Sequence, residues 1–280
     1  MAAKSSHCAS EVKRHDRGRF HCALFAGPDA REGLFAVYAF NHEIARIADT
    51  VREPLAGEIR LQWWRDAMAG VFAGDPPGHP VAIALSETVR RFALSWSHFE
   101  RLLDGRGAEL SGDPPADTDA LIRYAEGISA PVSCLGLEVL GVGGDAAIEA
   151  ARHVGIAWAI TGLVRAIPFH AARARVYLPA VSCRHGALDI DALLRGRFVP
   201  GLADVVSELC DLAAGHLAGA RRLRAQVPRR ALPVLLPATL AEGYLGKLRA
   251  AHHEPFEAHV RASPPSRLLM LALNAFLGRY

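Results

Sequence analysis

The chain reads as an all-α protein folded as a single domain, and three features carry that expectation. Apolar residues recur at every third or fourth position through most of its length. Gly and Pro clusters separate segments of helical length. No segment shows convincing strand alternation. With 280 residues, 51% of them hydrophobic, the chain can fill one sizeable core. No internal repeat or low-complexity linker divides it, and the expected domain spans residues 13–280 behind a disordered lead over 1–12.

Taken in order, a basic segment from Val12 to Phe25 reads as the first helix, and Gly27-Pro28-Asp29 breaks it, with Asp29 as the next N-cap. From Arg31 to Val51, Leu34, Val37, Tyr38, Ile44 and Ile47 mark one apolar face, and Pro54 stops the helix. Further helices are expected from Glu58 to Phe72, Pro80 to Leu94 and Trp96 to Leu103, the first of them ended by Gly74-Asp75-Pro76-Pro77-Gly78. Asp117 or Thr118 caps a helix through Tyr124; the small, apolar run 128–142 is read as another, started or kinked by Pro131. After the Gly143-Gly144 turn, a helical pattern through Ala157, Ile160, Thr161 and Val164 runs into a basic tail at Arg173 and Arg175. Residues 189–195, 204–227, 231–250 and 264–279 complete the set, the last capped by Ser263-Pro264-Pro265.

The charge balance excludes little but points away from nucleic acid. Thirty-two basic residues are scattered among 29 acidic ones for a net charge of +3. Five cysteines without a C-x-x-C spacing read as reduced thiols of a cytoplasmic-type compartment. His7-Cys8 and His21-Cys22 match no standard zinc spacing. The N-terminal residues lack the apolar core of a secretory signal, and no uncharged run is long enough to expect a transmembrane helix.

The stretch from Gly155 to Pro179 resembles the second signature helix of the squalene/phytoene synthase family. Gly155, Ala157, Thr161, Arg165, Arg175, Tyr177, Leu178 and Pro179 fall on family positions. The resemblance implies an isoprenoid-synthase-like helical bundle around a central cavity. It also implies head-to-head joining of allylic diphosphates with magnesium held by two Asp-x-x-x-Asp motifs, because a hard divalent ion wants oxygen ligands. Those motifs are degraded here. In the second, the two Asp positions fall on Ala166 and His170, the intervening Glu on Phe169, and the Asn one turn earlier on Gly162. In the first, the leading Asp pair falls on Ala45 and Arg46, and Asp49 alone is kept. Glu43 lies two residues before the lost pair, about 200° round the helix from its first member, and is not expected to replace it. An Arg at about 4–5 Å from a divalent ion costs several kcal/mol even when screened.

Y-A-F-N-x-E at Tyr38–Glu43, I-R-L-Q-W-W at Ile59–Trp64, Y-A-E-G-I-S at Tyr124–Ser129 and L-V-R-A-I-P-F-H to His170 resemble one divergent branch of the family, over residues 13–250. In that branch the phytoene-synthase domain is degenerate and serves the assembly of respiratory complex I. The resemblance therefore implies a non-catalytic protein, complex I subunits or assembly intermediates as partners, a prenyl lipid as ligand, no metal or other cofactor, and a cytoplasmic place at the inner face of a membrane. The runner-up is an active magnesium-dependent prenyl transferase, and the third reading is a prenyl-lipid carrier.

Tyr38, Asn41, Arg46, Asp49, Arg165, His170, Arg173 and Arg175 are the candidates to line a cavity or hold a phosphate, since Arg forks suit phosphate oxygens. Arg165 is expected to pair with Asp49 and join the two signature helices. Pro168 predicts a kink that swings Phe169 and His170 away from a metal clamp. Trp63 and Trp64 point about 100° apart, one toward the core. The terminal helix reads as core packing first and membrane docking second.

Overall fold

The computed structural model describes residues 6–51, 53–261 and 267–280, and their regular structure is all helical, with no strand among them. The first five residues of the expected disordered lead lie outside the described ones, and from residue 6 onward that expectation is overturned. α1 (His7–His15) is capped by Ser6, whose hydroxyl accepts from the Ala9 N–H at 3.0 Å, and it buries Cys8, Ala9 and Val12. The expected single helix to Phe25 is divided at Asp16, whose carboxylate accepts from the Arg19 N–H and starts α2 (Arg17–Ala23).

α3 (Pro28–Thr50) begins three residues earlier than the apolar pattern suggests, because Pro28 sits in the first turn and Gly27, not Asp29, is the cap. Pro54 does not merely stop α3; it opens α4 (Pro54–Ala73), which Gly74 ends at a φ of 82° that favours glycine. α5 (Pro80–Phe92) and α6 (Trp96–Ala108) follow, α6 running past Leu103 into a 3₁₀ turn, Glu109–Ser111. The two segments expected on either side of residue 127 are one helix, α7 (Thr118–Val139), capped by Asp117, with Pro131 buried inside it.

α8 (Asp145–Arg165) is the second signature helix. It is interrupted at Ala166 and resumes as α9 (Ile167–Ala171), with Pro168 in the first turn. Next come α10 (Ala180–His185), which the sequence pattern does not suggest, α11 (Ile190–Leu194) and α12 (Leu202–Arg222). α13 (Leu232–Leu235), α14 (Pro237–Ala250), α15 (Ala258–Arg261) and α16 (Arg267–Leu277) complete the chain; the cap expected at 263–265 lies outside the described residues.

α8 lies at the centre, packed against α7, α12 and α14, while α3 packs on α1, α5 and α7. Close approach of α7 and α8 depends on Gly155, where a Cβ would lie 3.1 Å from the Ser129 hydroxyl and 3.3 Å from its backbone. Phe40, Ile44, Leu121, Leu135, Val154 and Ile160 fill the core between these helices. Burying each such side chain contributes roughly 1.5–3 kcal/mol against the entropy of ordering the chain. Trp64 is buried edge-on to Phe40, and its neighbour Trp63 is exposed, as the helical angle requires. α16 departs from its expected core role: among its apolar residues Leu271 is buried, whereas Leu269 is 74% and Phe276 78% exposed. No described helix is long and apolar enough to cross a membrane.

Candidate functional site

The ends of the two signature stretches meet on one side of the bundle, where a buried polar network fills the space between α3, α6, α7 and the loop after α9. Arg106, near the C-terminus of α6, donates to the Glu109 carboxylate at 2.5 Å and to the Asn41 Oδ1 of α3 at 3.5 Å. The Tyr124 hydroxyl of α7 donates to the same Glu109 oxygen at 2.7 Å, and its ring stacks on Tyr177 at 5.9 Å. Arg175 donates to the Tyr177 oxygen at 3.3 Å and to the Ala48 carbonyl at 2.8 Å. That carbonyl belongs to the last turn of α3, whose C=O groups have no partner within the helix, so Arg175 caps α3 with a cation at its negative end.

Burial, the largest single influence, disfavours the Arg106 charge, but Glu109, Tyr124 and Tyr177 together outweigh it and hold its pKa above the ordinary value. Tyr124 is pushed well up by burial and then by Glu109. Tyr177 moves in the same direction for the same two reasons, with Asp49 contributing further. His170 faces inward from α9 with its ring 4.6 Å from Tyr177. Burial, then the Arg175 and Arg173 charges, lowers its pKa to about 4, so the imidazole is neutral at pH 7.

Of the expected candidates, the structure brings Asn41, His170, Arg175 and Tyr177 to this network and leaves others elsewhere. Asp49 is exposed at the end of α3. Arg46 is exposed and pairs with Glu43 at 3.7 Å. Arg173 is exposed, its guanidinium 3.6 Å from the Phe169 ring centroid. The pairing expected between Arg165 and Asp49 is not formed among the described residues; Arg165 packs 3.4 Å over the Tyr244 ring of α14. Tyr38 is buried under Arg19, 5.5 Å away. The kink expected at Pro168 is present but displaces only Phe169 outward: the His170 N–H still reaches the Ala166 carbonyl at 2.8 Å, and its ring lines the interior. Nothing in the sequence marks Arg106, Glu109 and Tyr124 as a unit, because the apolar pattern ends α6 at Leu103, before Arg106.

Of the metal-binding signature positions Asp49 alone keeps a carboxylate, and the others are Ala45, Arg46, Gly162, Ala166, Phe169 and His170. This donor set does not fit magnesium, which takes oxygen ligands. The central cavity beside the network, bounded by Leu121, Ile160, Ile167, His170, Tyr177 and Leu209, holds about 10 Å³, close to the space of a single water. Outside it, a shallow apolar groove of about 390 Å³ shares Val176 and Leu178 with the cavity wall and continues over Ala180, Leu188 and Ile190. A wider hollow, about 710 Å³, is remote from the signature stretches, between the start of α3, α13 and α16.

A family model described as squalene/phytoene synthase matches residues 12–267. The NADH dehydrogenase (ubiquinone) complex I, assembly factor 6, of Rattus norvegicus is 32% identical over 275 residues, covering 98% of this chain and 82% of that protein. The presqualene diphosphate synthase of Rhodopseudomonas palustris is 29% identical over 201 residues, 71% of each chain. Among solved structures, squalene synthase HpnC from Alicyclobacillus acidocaldarius superposes with a TM-score of 0.78 at 21% identity, over 89% of this chain and 94% of that one, a likeness of fold.

Proposed function

The chain belongs to the squalene/phytoene synthase family, and from that premise we propose that it acts in the assembly of respiratory complex I and does not join prenyl diphosphates. One observation carries this reading: where two facing carboxylate pairs would hold metal, the chain places Ala45, Arg46, Ala166 and a half-buried, neutral His170. Departure of a diphosphate leaves about three negative charges to be neutralised, and hydrogen bonds from Arg can hold such a group without matching divalent ions. The similarity to complex I assembly factor 6 over nearly the whole chain supports the positive half of the proposal.

The surface supplies two kinds of contact for such work. Leu55, Ile59 and Trp63 recur at i, i+4 and i+8 along α4, all exposed, and on them we seat the protein partner. The exposed apolar side of α16, above the hollow lined by Arg229 and Arg230, we seat on the inner face of a membrane. A prenyl lipid would lie in the groove along Val176, Leu178 and Leu188, beside a central cavity too small for it.

The similarity to presqualene diphosphate synthase and the retained Asp49, Arg165, Arg175 and Tyr177 favour prenyl transfer as the second reading. Incubating the purified chain with farnesyl diphosphate and magnesium separates the two. We expect no head-to-head product, and any presqualene diphosphate or squalene overturns the non-catalytic half. Deleting the gene and resolving NADH dehydrogenase on native gels tests the other half: assembled complex I should fall, and I59E/W63E should fail to restore it while folding normally. Unchanged complex I in the deletion strain would refute the assembly role.

A further inference from the structure

Glu11 and His15 stand one turn apart on α1, on the same face, with the His15 Nε2 3.6 Å from a Glu11 carboxylate oxygen. Against them lies His42 of α3, its ring stacked on that of His15 with centroids 4.2 Å apart and planes 12° from parallel. One ligand atom from each of the three residues falls within 4.8 Å of the other two. No other group of three His, Cys, Asp or Glu residues among those described comes so close. We propose that Glu11, His15 and His42 form a binding site for a borderline divalent cation of the zinc class, which ties α1 to the first signature helix.

The donor chemistry selects the ion. Two imidazole nitrogens and one carboxylate suit zinc, cobalt, nickel or copper, whereas magnesium asks for oxygens alone. Three protein ligands leave a fourth tetrahedral position for water. Bonds of about 2.0–2.2 Å place neighbouring tetrahedral donors roughly 3.3–3.6 Å apart, a range that reaches the 3.6 Å between Glu11 and His15. In the stacked pose the in-plane lone pairs of the two rings run parallel. A turn of His15 about χ2 brings them to one point, and the 37% exposure of its side chain leaves room for it. His42 is held by its position on α3, so the more exposed ligand adapts to the more fixed one. Arg46, one turn further along α3, is engaged by Glu43 at 3.7 Å, which offsets its charge near the site. The site uses none of the degraded family positions, and it stands whether or not the assembly role does.

The test is a titration of the full chain, without a polyhistidine tag and stripped of metal, with zinc by calorimetry and with cobalt by visible absorption. We expect one ion per chain, a cobalt spectrum free of the intense near-ultraviolet band that thiolate ligands give, and no displacement by excess magnesium. H15A and H42A should each weaken binding about 10–100-fold, and E11Q by less. Because H42A alters a half-buried position, circular dichroism of each variant accompanies the titration, and H15A, at the more exposed position, decides the matter alone where H42A fails to fold. Zinc binding weaker than about 1 mM, a thiolate spectrum, displacement by magnesium, or wild-type affinity in H15A would overturn the proposal.

Discussion

At the scale of single residues, the Arg106–Glu109 pair is the most consequential feature of the candidate site. The two side chains are 11% and 3% exposed, so removing one charge strands the other out of water. We expect E109A to lose about 3–5 kcal/mol in urea unfolding, and the double replacement R106M/E109M to be more stable than E109A. A loss under about 1 kcal/mol for E109A would mean that Arg106 finds water or another acceptor. His170 makes a second expectation, with a definite sign. Its folded pKa of about 4 lies below the ordinary 6.5, so between those values the unfolded chain binds the extra proton. The stability held with a neutral ring is intact above pH 6.5 and is lost as pH falls toward 4, by an amount of order 3 kcal/mol. H170F keeps an aromatic ring against Tyr177 and removes the titration. The stability gap between H170F and the parent chain should therefore change by that amount across pH 7 to 4 in favour of the variant. Burial similarly lowers the pKa of His21, His42, His98, His153 and His216, but they cancel in that comparison. A constant gap would show His170 to be solvated.

At the scale of elements, α16, like α4, presents a surface that asks for a partner. Leu268, Leu269, Leu273, Phe276 and Leu277 are exposed on a helix of eleven residues, while the Arg229 guanidinium holds the Phe276 carbonyl at 2.5 Å and keeps the helix in place. Co-sedimentation with vesicles containing anionic lipid should retain the chain, and L269E/F276E should release most of it without lowering thermal stability. Equal retention of the variant would remove α16 from the membrane contact. The contrast between α16 and α3 also shows what can be read from the sequence. Both have helical periodicity, and periodicity locates both; it cannot say whether an apolar face meets protein or solvent, since that depends on what the rest of the chain brings opposite. The first half of α1 escapes notice because its cap, Ser6, stands at the edge of a polar lead whose composition outweighs a single hydroxyl. α10 is too short to show a period. The fold itself is legible because Gly155, Thr161, Tyr177 and Pro179 keep a recognisable frame. The Arg106–Glu109–Tyr124 network is not, because it joins three elements whose residues are ordinary in any one of them. The same limit hides the Arg165 contact with Tyr244: Asp49 is the expected partner because both stand in the signature stretches, whereas Tyr244 lies on α14, outside either one.

At the scale of the whole molecule, the lost carboxylates have a thermodynamic signature that does not depend on finding a product. A ligand that binds only the folded chain raises its stability by an amount set by concentration over Kd, about 2.7 kcal/mol at a hundredfold excess. For a chain of this size each kcal/mol moves the melting temperature by about 2–4 °C. A bundle that grips diphosphate through magnesium should therefore melt several degrees higher with millimolar magnesium and pyrophosphate together than with either alone. This chain offers Ala45, Ala166 and a neutral His170 to the metals, while Arg175 is occupied with the Ala48 carbonyl and Tyr177. We expect the pair to shift the melting temperature by under about 1 °C beyond the effect of each alone. Zinc, acting at the α1–α3 contact, should raise it in the parent chain and not in H15A. A large joint effect of magnesium and pyrophosphate would mean that acidic groups such as Asp49 converge on the metal when both ligands are present, and the non-catalytic reading would fall with it. A zinc shift preserved in H15A would instead count against the His15 site while leaving the reading of the signature helices intact, because the two depend on different side chains.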